Sequence, residues 1–572
     1  MTSASTKSSL RNSAAPDLSD FRKRFPLTVA NFAQLAHREM WLERIWGLDQ
    51  RWHAARENNG KTTAPEVFMH GAPPVNLTVE AEYEIIYAGG VLGLLHAAVM
   101  AAHYKRNVLV FDAHAVGKTH RDWNISDEEL REFEAAGLFT KDEIEAAILN
   151  RYHAGFVKFH DAASRIKTPP LLMSNVLDVA VEADKLLALA AAKIRASQTK
   201  SALLDKTRFV RAYIQPDRVF VETEDALTNQ RRLFAARLFI DATGTNSAVA
   251  RQLNENHAIT HVCPTVGTVA RGFVHGEEPD QVNFNIGEIL VSTEDARDHR
   301  QLIWEGFAGS RARDEYTTYL FFYDAVDSPA DKSLLALFER YFESLPKYKR
   351  ASAHWRVTKP VFGYIPSFHH RGLTNQKRTA DERLMLIGDA AGLSSPLTFC
   401  GFGSHVRNLK RLTHLTHLAL CADMLDEKSL AEINAYEPRV AQMASLAEFM
   451  RPTAKSAPSS VNETLNAVMA ALHQLDERVR RELFQDRMTF AAFKKLLGHT
   501  ARLYPRIFAR VREHLGARGT FWWLVNIAQA AFSERRTASI AHDNEPDTDA
   551  ARQFMRHVAL YQKSATRESS QP

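Results

Sequence analysis

The chain has 572 residues, 45% of them hydrophobic and 24% charged, and a formal net charge of only +5. This is the composition of a globular protein, long enough for a large domain with additions and far from the charge bias of a disordered or nucleic-acid-coating chain. Three cysteines (Cys263, Cys400, Cys421) without metal-ligand spacing exclude a disulfide framework, and no apolar run reaches bilayer-spanning length, so a cytoplasmic protein, peripheral on the inner membrane at most, is expected.

Residues 1–19 read as a polar, disordered start. Helical periodicity rich in aromatics (Phe21, Phe25, Phe32, Trp41, Trp46, Trp52) follows, giving an N-terminal extension over 1–80 that packs on something else. From 81 the pattern changes. Tyr83 to Ala88 reads as a buried strand, and Ala88-x-Gly90-x-x-Gly93 matches G-x-G-x-x-G with alanine in the first glycine position. Small residues at such a bend let backbone approach a diphosphate, and the apolar helix from Leu94 to His103 aims its N–H groups there. The next strand, Val108 to Phe111, closes on Asp112, about 20 residues beyond Gly93, where an acid meets ribose hydroxyls. The cofactor candidates of this bend are Ala88, Gly89, Gly90, Gly93 and Asp112; a ligand-free strand–helix turn is the plain alternative.

Residues 126–151 are charged and helical, 178–196 form an amphipathic helix, and 208–221 and 231–240 are strand-like. The last of these ends in Ala242-Thr243-Gly244, so Thr243 and Gly244 are candidates for the adenosine side of a dinucleotide. Together 81–261 form the first part of a dinucleotide domain. Residues 262–380 are rich in Thr, Val, Ile and aromatics and predict a mixed sheet that walls the substrate. The return segment 381–425 opens with a buried strand, Leu384 to Ile387, ending on Gly388-Asp389. Asp389 there can accept a ribityl hydroxyl or simply cap a helix. The helix after Pro396, through Gly401 and Gly403, can turn its positive end toward a flavin pyrimidine. Residues 426–572 are helical.

The predicted fold is α/β: a Rossmann-type, glutathione-reductase/hydroxylase-like domain, a mixed β-sheet substrate region and a helical C-terminal extension. Two glycine bends at opposite ends of one domain imply a single dinucleotide held from two sides, and FAD fits best. No metal is expected; His369-His370-Arg371 lacks further ligands and reads as a surface turn.

Four segments then carry a resemblance. They are the bend Ala88–Gly93, the stretch Gly117-Lys118-Thr119-His120-Arg121-Asp122-Trp123-Asn124-Ile125-Ser126, the central strands Gln301–Phe307 and Thr317–Phe321, and Gly388–Gly403. Together they resemble the FAD-dependent lycopene cyclases of the CruA/CruP type over roughly 83–531. Lys118, Asp122 and Cys400 stand where that family pattern has arginine, glutamate and glycine. The resemblance implies proton-initiated ring closure of a long apolar isoprenoid or carotenoid with reduced FAD, and NADPH or NADH as external reductant. Such chemistry needs an acid in a dry pocket. Glu305, at the end of an apolar strand run, is the leading donor; Asp122 and Asp314 are further candidates, with solvated or structural carboxylates as the alternative for each.

Two other functions stay open: a redox flavoenzyme (monooxygenase, halogenase or polyene reductase) on another apolar substrate, and a carotenoid-binding flavoprotein without turnover. Arginines and lysines at helical intervals between Arg478 and Arg518 suggest docking on an anionic membrane, or else a solvated face paired with acids. No nucleic-acid partner is expected, because no binding module accompanies the charge.

Overall fold

A computed structural model describes residues 16–57, 66–368, 377–392, 397–398, 400–434, 450–453, 456–536 and 548–567. Pro396, the His369-His370-Arg371 triplet and residues 1–15 lie outside the described residues.

Five parallel strands form the frame, in the order Ala202–Leu204, Val108–Phe111, Val79–Ala88, Arg231–Asp241 and Leu384–Leu386. The central ones are buried on both faces, which explains their near-continuous apolar runs. Helices Leu92–Ala102, Ala183–Arg195 and Gly401–Ala422 contribute to the core cluster beneath this sheet. The stretch predicted as one strand over 208–221 is two, Thr207–Ile214 and Val219–Asp225. A turn at Pro216-Asp217 closes them, with the Gln215 N–H donating to the Arg218 carbonyl (2.8 Å). This hairpin extends the N-terminal half of Arg231–Asp241 antiparallel.

A second sheet orders Asp324–Ala325, His261–Phe273, Glu315–Phe321, Ile303–Ala308, Ile286–Val291, Ala154–Lys158 and Leu171–Met173, and Ala351–Ser367 also pairs with His261–Phe273. The strands expected between 262 and 325 are present. Two of its members come from earlier in the chain: Ala154–Lys158 runs parallel to Ile286–Val291 and pairs with Leu171–Met173. Beyond Gly401 the described residues are helical apart from short turns. Several tail arginines are already engaged: Arg478, Arg487 and Arg510 with Glu482, Glu128 and Glu513, and Arg480 with the carbonyls of Leu472, His473 and Leu475. Among the described residues no helix is long and apolar enough to cross a membrane.

The N-terminal extension packs on the second sheet. Helix Arg38–Glu57 buries Leu42, Ile45, Asp49 and Trp52, a set spaced to share one face. Trp52 stacks on Tyr364 with centroids 4.6 Å apart, and Phe32 meets Phe338 edge-on at 5.3 Å. The buried carboxylate of Asp49 is fully used. It accepts from the backbone N–H groups of Leu334 (2.7 Å) and Leu335 (3.2 Å), from the Ser333 hydroxyl (2.7 Å) and from the Tyr364 hydroxyl (2.7 Å). It thereby caps helix Leu334–Tyr348 from a distant part of the chain, satisfying donors that burial leaves no water to meet. Asp49→Ala should lower the unfolding free energy by about 2–3 kcal/mol, the loss of a cap plus buried unsatisfied donors, read by chemical denaturation. A change below about 0.5 kcal/mol would show the cap to be redundant.

Candidate functional site

Strand register brings the predicted bends together. Ala88 pairs with Phe111 on one side and Asp241 on the other, and Asp241 pairs with Leu386. Four parallel strands therefore end at one level, and each turns within a residue or two: at Gly89-Gly90, at Asp112, at Ala242-Thr243-Gly244 and at Gly388-Asp389. This is the carboxyl edge of an open α/β sheet, where ligands of such folds bind.

A cavity of about 1170 Å³ opens along this edge. It exceeds the roughly 300–1,000 Å³ of ordinary small-molecule sites. Gly89, Gly90, Asp112, Thr243, Gly244, Gly388, Asp389 and Gly401 line it, as do Glu305 and Asp122. Ala88, Gly93 and Gly403 do not. Ala88 is the buried last residue of its strand. A Cβ on Gly93 would stand 2.8 Å from the Ala242 Cβ, and one on Gly403 2.5 Å from the Glu129 carboxylate, so both glycines serve close packing. Gly89 is also a packing residue as much as a ligand one. Its φ is +114°, and a Cβ there would collide with the Ala242 carbonyl oxygen.

The acids around the bends differ in what they hold. Asp112 accepts from the Gly90 N–H (2.8 Å) through one oxygen and from the His114 N–H (2.8 Å) through the other. Each oxygen keeps a lone pair for a further donor. Asp241, buried beneath the third bend, accepts from the Ser247 hydroxyl (2.5 Å) and the Thr243 N–H (2.8 Å), fixing the Ala-Thr-Gly turn. Asp389 sits on a single 3-10 turn over Gly388–Ala390. Burial raises its carboxyl, while Arg121, 4.0 Å away, and Lys377 act in the other direction. Burial pushes the Lys377 ammonium down to about 7, opposed by Asp389.

Two helices open onto the cavity without side-chain caps: Leu92–Ala102 after Val91, and Gly401–Ala422 after Cys400. Their first N–H groups and positive dipole ends suit an anionic ligand. Between them Trp123 stacks on Phe402, centroids 4.0 Å apart, giving the cavity a flat aromatic flank.

The opposite wall is the second sheet, presenting Thr265, Glu305, Phe307, Tyr319, Gly363 and Ile365. Glu305 is the third residue of Ile303–Ala308, not its end, and only 2% exposed. Burial raises its carboxyl well above the usual range, with a hydrogen bond from Asn124 opposing. The Asn124 amide oxygen and nitrogen are themselves buried without a hydrogen-bond partner. Such a pair at a cavity wall matches a ligand with both donor and acceptor atoms.

Asp122 is held differently. Its carboxylate takes the Lys359 ammonium at 2.7 Å and the Thr317 hydroxyl at 3.4 Å, and its backbone meets the Tyr319 hydroxyl. It ties the loop before Trp123 to the sheet. Asp314 lies outside the cavity on an exposed loop, bonded to Ser310 (2.6 Å) and 3.5 Å from Arg271, and the Ser310 bond lowers its pKa. An ionised surface carboxylate is not placed to protonate anything in the cavity, so Asp314 is corrected from a candidate acid to the solvated carboxylate that was its alternative.

The FAD expectation is thus met by residues of the right kind: a glycine bend at a helix N-terminus, an acid at the next strand end, a second uncapped helix and an orphaned amide. Lys377, Arg121 and Tyr319 join the site without having been singled out by sequence. Arg121 and Tyr319 lie within 117–126 and 317–321, yet only the tertiary fold brings them to the cavity and Lys377 beside Asp389.

No family profile matches the chain, and no curated protein matches it. Solved structures do. Halogenase PltM superposes with a TM-score of 0.50 at 14% identity, covering 84% of this chain and 96% of that one. A geranylgeranyl bacteriochlorophyll reductase-like protein from Thermoplasma acidophilum gives 0.49 at 14% identity, covering 76% and 99%. The flavin-dependent monooxygenase PieE, solved with FAD and substrate, gives 0.48 at 13%, covering 83% and 78%. The chain shares its Rossmann-type fold with halogenase PltM. Nothing in these likenesses singles out lycopene cyclases.

The glycines make a direct comparison. Gly89→Ala should cost about 3 kcal/mol or more, combining left-handed strain with a clash against the neighbouring strand. Gly244→Ala, whose φ is +86° but whose Cβ would meet nothing within 4 Å, should cost only about 1–2 kcal/mol. Equal losses in denaturant titrations would contradict this packing account.

Proposed function

We propose that this chain is an FAD-dependent oxidoreductase acting on an apolar substrate, with a nicotinamide dinucleotide as external reductant. The observation that carries the reading is the alignment of four strand ends around one large cavity whose far wall is apolar and carries Glu305. Bound FAD supplies two-electron chemistry. The protein's part is binding, orientation and exclusion of water. The first N–H groups of helix Leu92–Ala102 would meet the diphosphate, Asp112 would accept a ribose hydroxyl, and Asp389 would accept a ribityl hydroxyl. The Trp123–Phe402 stack and Phe307 keep the reacting end dry.

Glu305 favours a second reading, proton-initiated cyclisation of a long isoprenoid, which the sequence resemblance also implies. Its carboxyl oxygen holds a proton at the apolar wall. Giving it to a terminal double bond forms a carbocation, the ring closes by carbon–carbon bonding, and a neighbouring carbon loses a proton. Substrate and product are then isomers. The two readings separate in one assay of purified, FAD-loaded protein: nicotinamide consumed in step with product supports the oxidoreductase, and an isomeric product without consumption supports cyclisation. A protein that takes up no FAD overturns both.

Glu305→Gln should leave FAD affinity unchanged and cut turnover at least a hundredfold where a proton is donated, in the range of general-acid effects of about 10²–10⁴. Unchanged turnover removes Glu305 from the chemistry. The pH dependence has a fixed sign. With the folded pKa raised, the neutral Glu305 side chain contributes stability that is fully present below the unfolded carboxyl range. That contribution is lost as pH rises through the folded value. Thermal scans should therefore show a decline in the wild type as pH rises above the unfolded carboxyl range, one that is shallower in Glu305→Gln.

A further inference from the structure

Helix Arg38–Glu57 does more than cover the second sheet. Its face opposite Leu42, Ile45, Asp49 and Trp52 carries Met40, Glu43, Arg44, Gly47 and Arg51, and all five line the cavity. Arg44 is half-buried and positioned. One guanidinium nitrogen lies 3.3 Å from the His120 Nδ1, and the group packs over Trp41 (5.7 Å) and Phe362 (6.0 Å). The His120 Nε2–H donates to the Phe362 carbonyl at 2.6 Å, so Nδ1 is left as the acceptor for Arg44. Arg51, two turns further along the same face, is exposed and also lines the cavity.

Neither arginine has a carboxylate partner among the described residues, although this protein pairs most of its other cavity cations. Lys118 faces Asp184, Arg121 faces Asp389 and Arg208 faces Glu224. Their fields converge on one corner. Arg44, Arg51 and Arg208 all bear on His114, two residues after Asp112, and Arg44 is coupled to Asp112 itself. That corner is where the glycine bend places the ribose of a dinucleotide, next to its phosphates. Guanidinium forks without acids, set beside a ribose-binding acid, are complementary to phosphate oxygens.

We infer that the N-terminal helix builds a diphosphate site, in which Arg44 and Arg51 bind the phosphate groups of a dinucleotide at the Asp112 corner. This rests on the reading of the cavity as a dinucleotide site. The phosphates belong either to the resident flavin dinucleotide or to the nicotinamide dinucleotide that reduces it.

Adenosine diphosphate, which carries no flavin or nicotinamide, is the probe. Calorimetric titration of the flavin-free full-length chain should show ADP binding that weakens at least tenfold in Arg44→Gln/Arg51→Gln. Adenosine binding should be unchanged. Arg51→Gln alone should weaken ADP in the same direction; it is an exposed residue with no ion pair or hydrogen bond among the described residues, so it tests the site without risk to folding. Parallel arms assign the source. Weakened FAD with unaltered riboflavin assigns the flavin's phosphates. Retained FAD with a nicotinamide KM raised tenfold at constant kcat assigns the reductant. Equal ADP affinity in wild type and variants overturns the site, as does wild type that ignores millimolar ADP, or joint loss of ADP and adenosine. Wild type that binds ADP through these arginines but takes up no FAD leaves the site standing and overturns the flavin reading alone.

Discussion

The site depends on the shared level at which four parallel strands stop. Ala88, Phe111, Asp241 and Leu386 are held there by ladder hydrogen bonds, so every chain reversal falls on the same edge. A parallel sheet buried on both faces tolerates no slip, because one residue of shift would exchange two buried faces along a whole strand. The bends are thus located by the interior of the sheet. Their glycines follow from crowding between neighbours: Gly89 and Gly93 both yield to Ala242, and Gly388 to Leu92. Small residues at these turns admit a ligand's phosphates because they first admit one another.

On that edge the protein arranges two kinds of surface. One is polar and backbone-rich, with uncapped helix N-termini, Asp112 and Asp389. The other is the second sheet, which presents Phe307 and Ile365 beside Glu305, Thr265 and Tyr319. A polar cofactor head and an apolar reactant can share the cavity without competing for the same lining. The contrast between Glu305 and Asp122 shows how environment assigns roles to like groups. Both are carboxyls buried on the cavity wall and raised by burial. Asp122 is paired with the Lys359 ammonium and ties down a loop, whereas Glu305 has no ion pair among the described residues and its carboxyl is raised by burial.

Much of this was legible in the residues. The strand–glycine–helix–strand–acid succession from Tyr83 to Asp112, and Gly388-Asp389 after an apolar run, are local patterns whose period and turn chemistry survive any tertiary context. The alignment of distant segments was not. Ala154–Lys158 joins the second sheet beside Ile286–Val291 through a pairing that nothing in either stretch announces. Glu305, the leading acid candidate, and Asp314, a further one in a charged loop, lie nine positions apart. Only the sheet decides that one faces the cavity and the other solvent, since a loop's charge says nothing of where it points. Arg44 and Arg51 escaped notice for a related reason. Their seven-residue spacing marks a helix face, but arginines on a helix face usually mean water, and the partner of that face lies in a different part of the chain.

Asp49 links residues separated by 285 positions, tying helix Arg38–Glu57 to the start of helix Leu334–Tyr348. During synthesis the earlier helix emerges first and must wait, with Phe32 and Trp52 unburied, until the segment reaching Tyr364 leaves the ribosome. The wall that Arg44 and Arg51 stand on is therefore among the last parts of the cavity to be put in place.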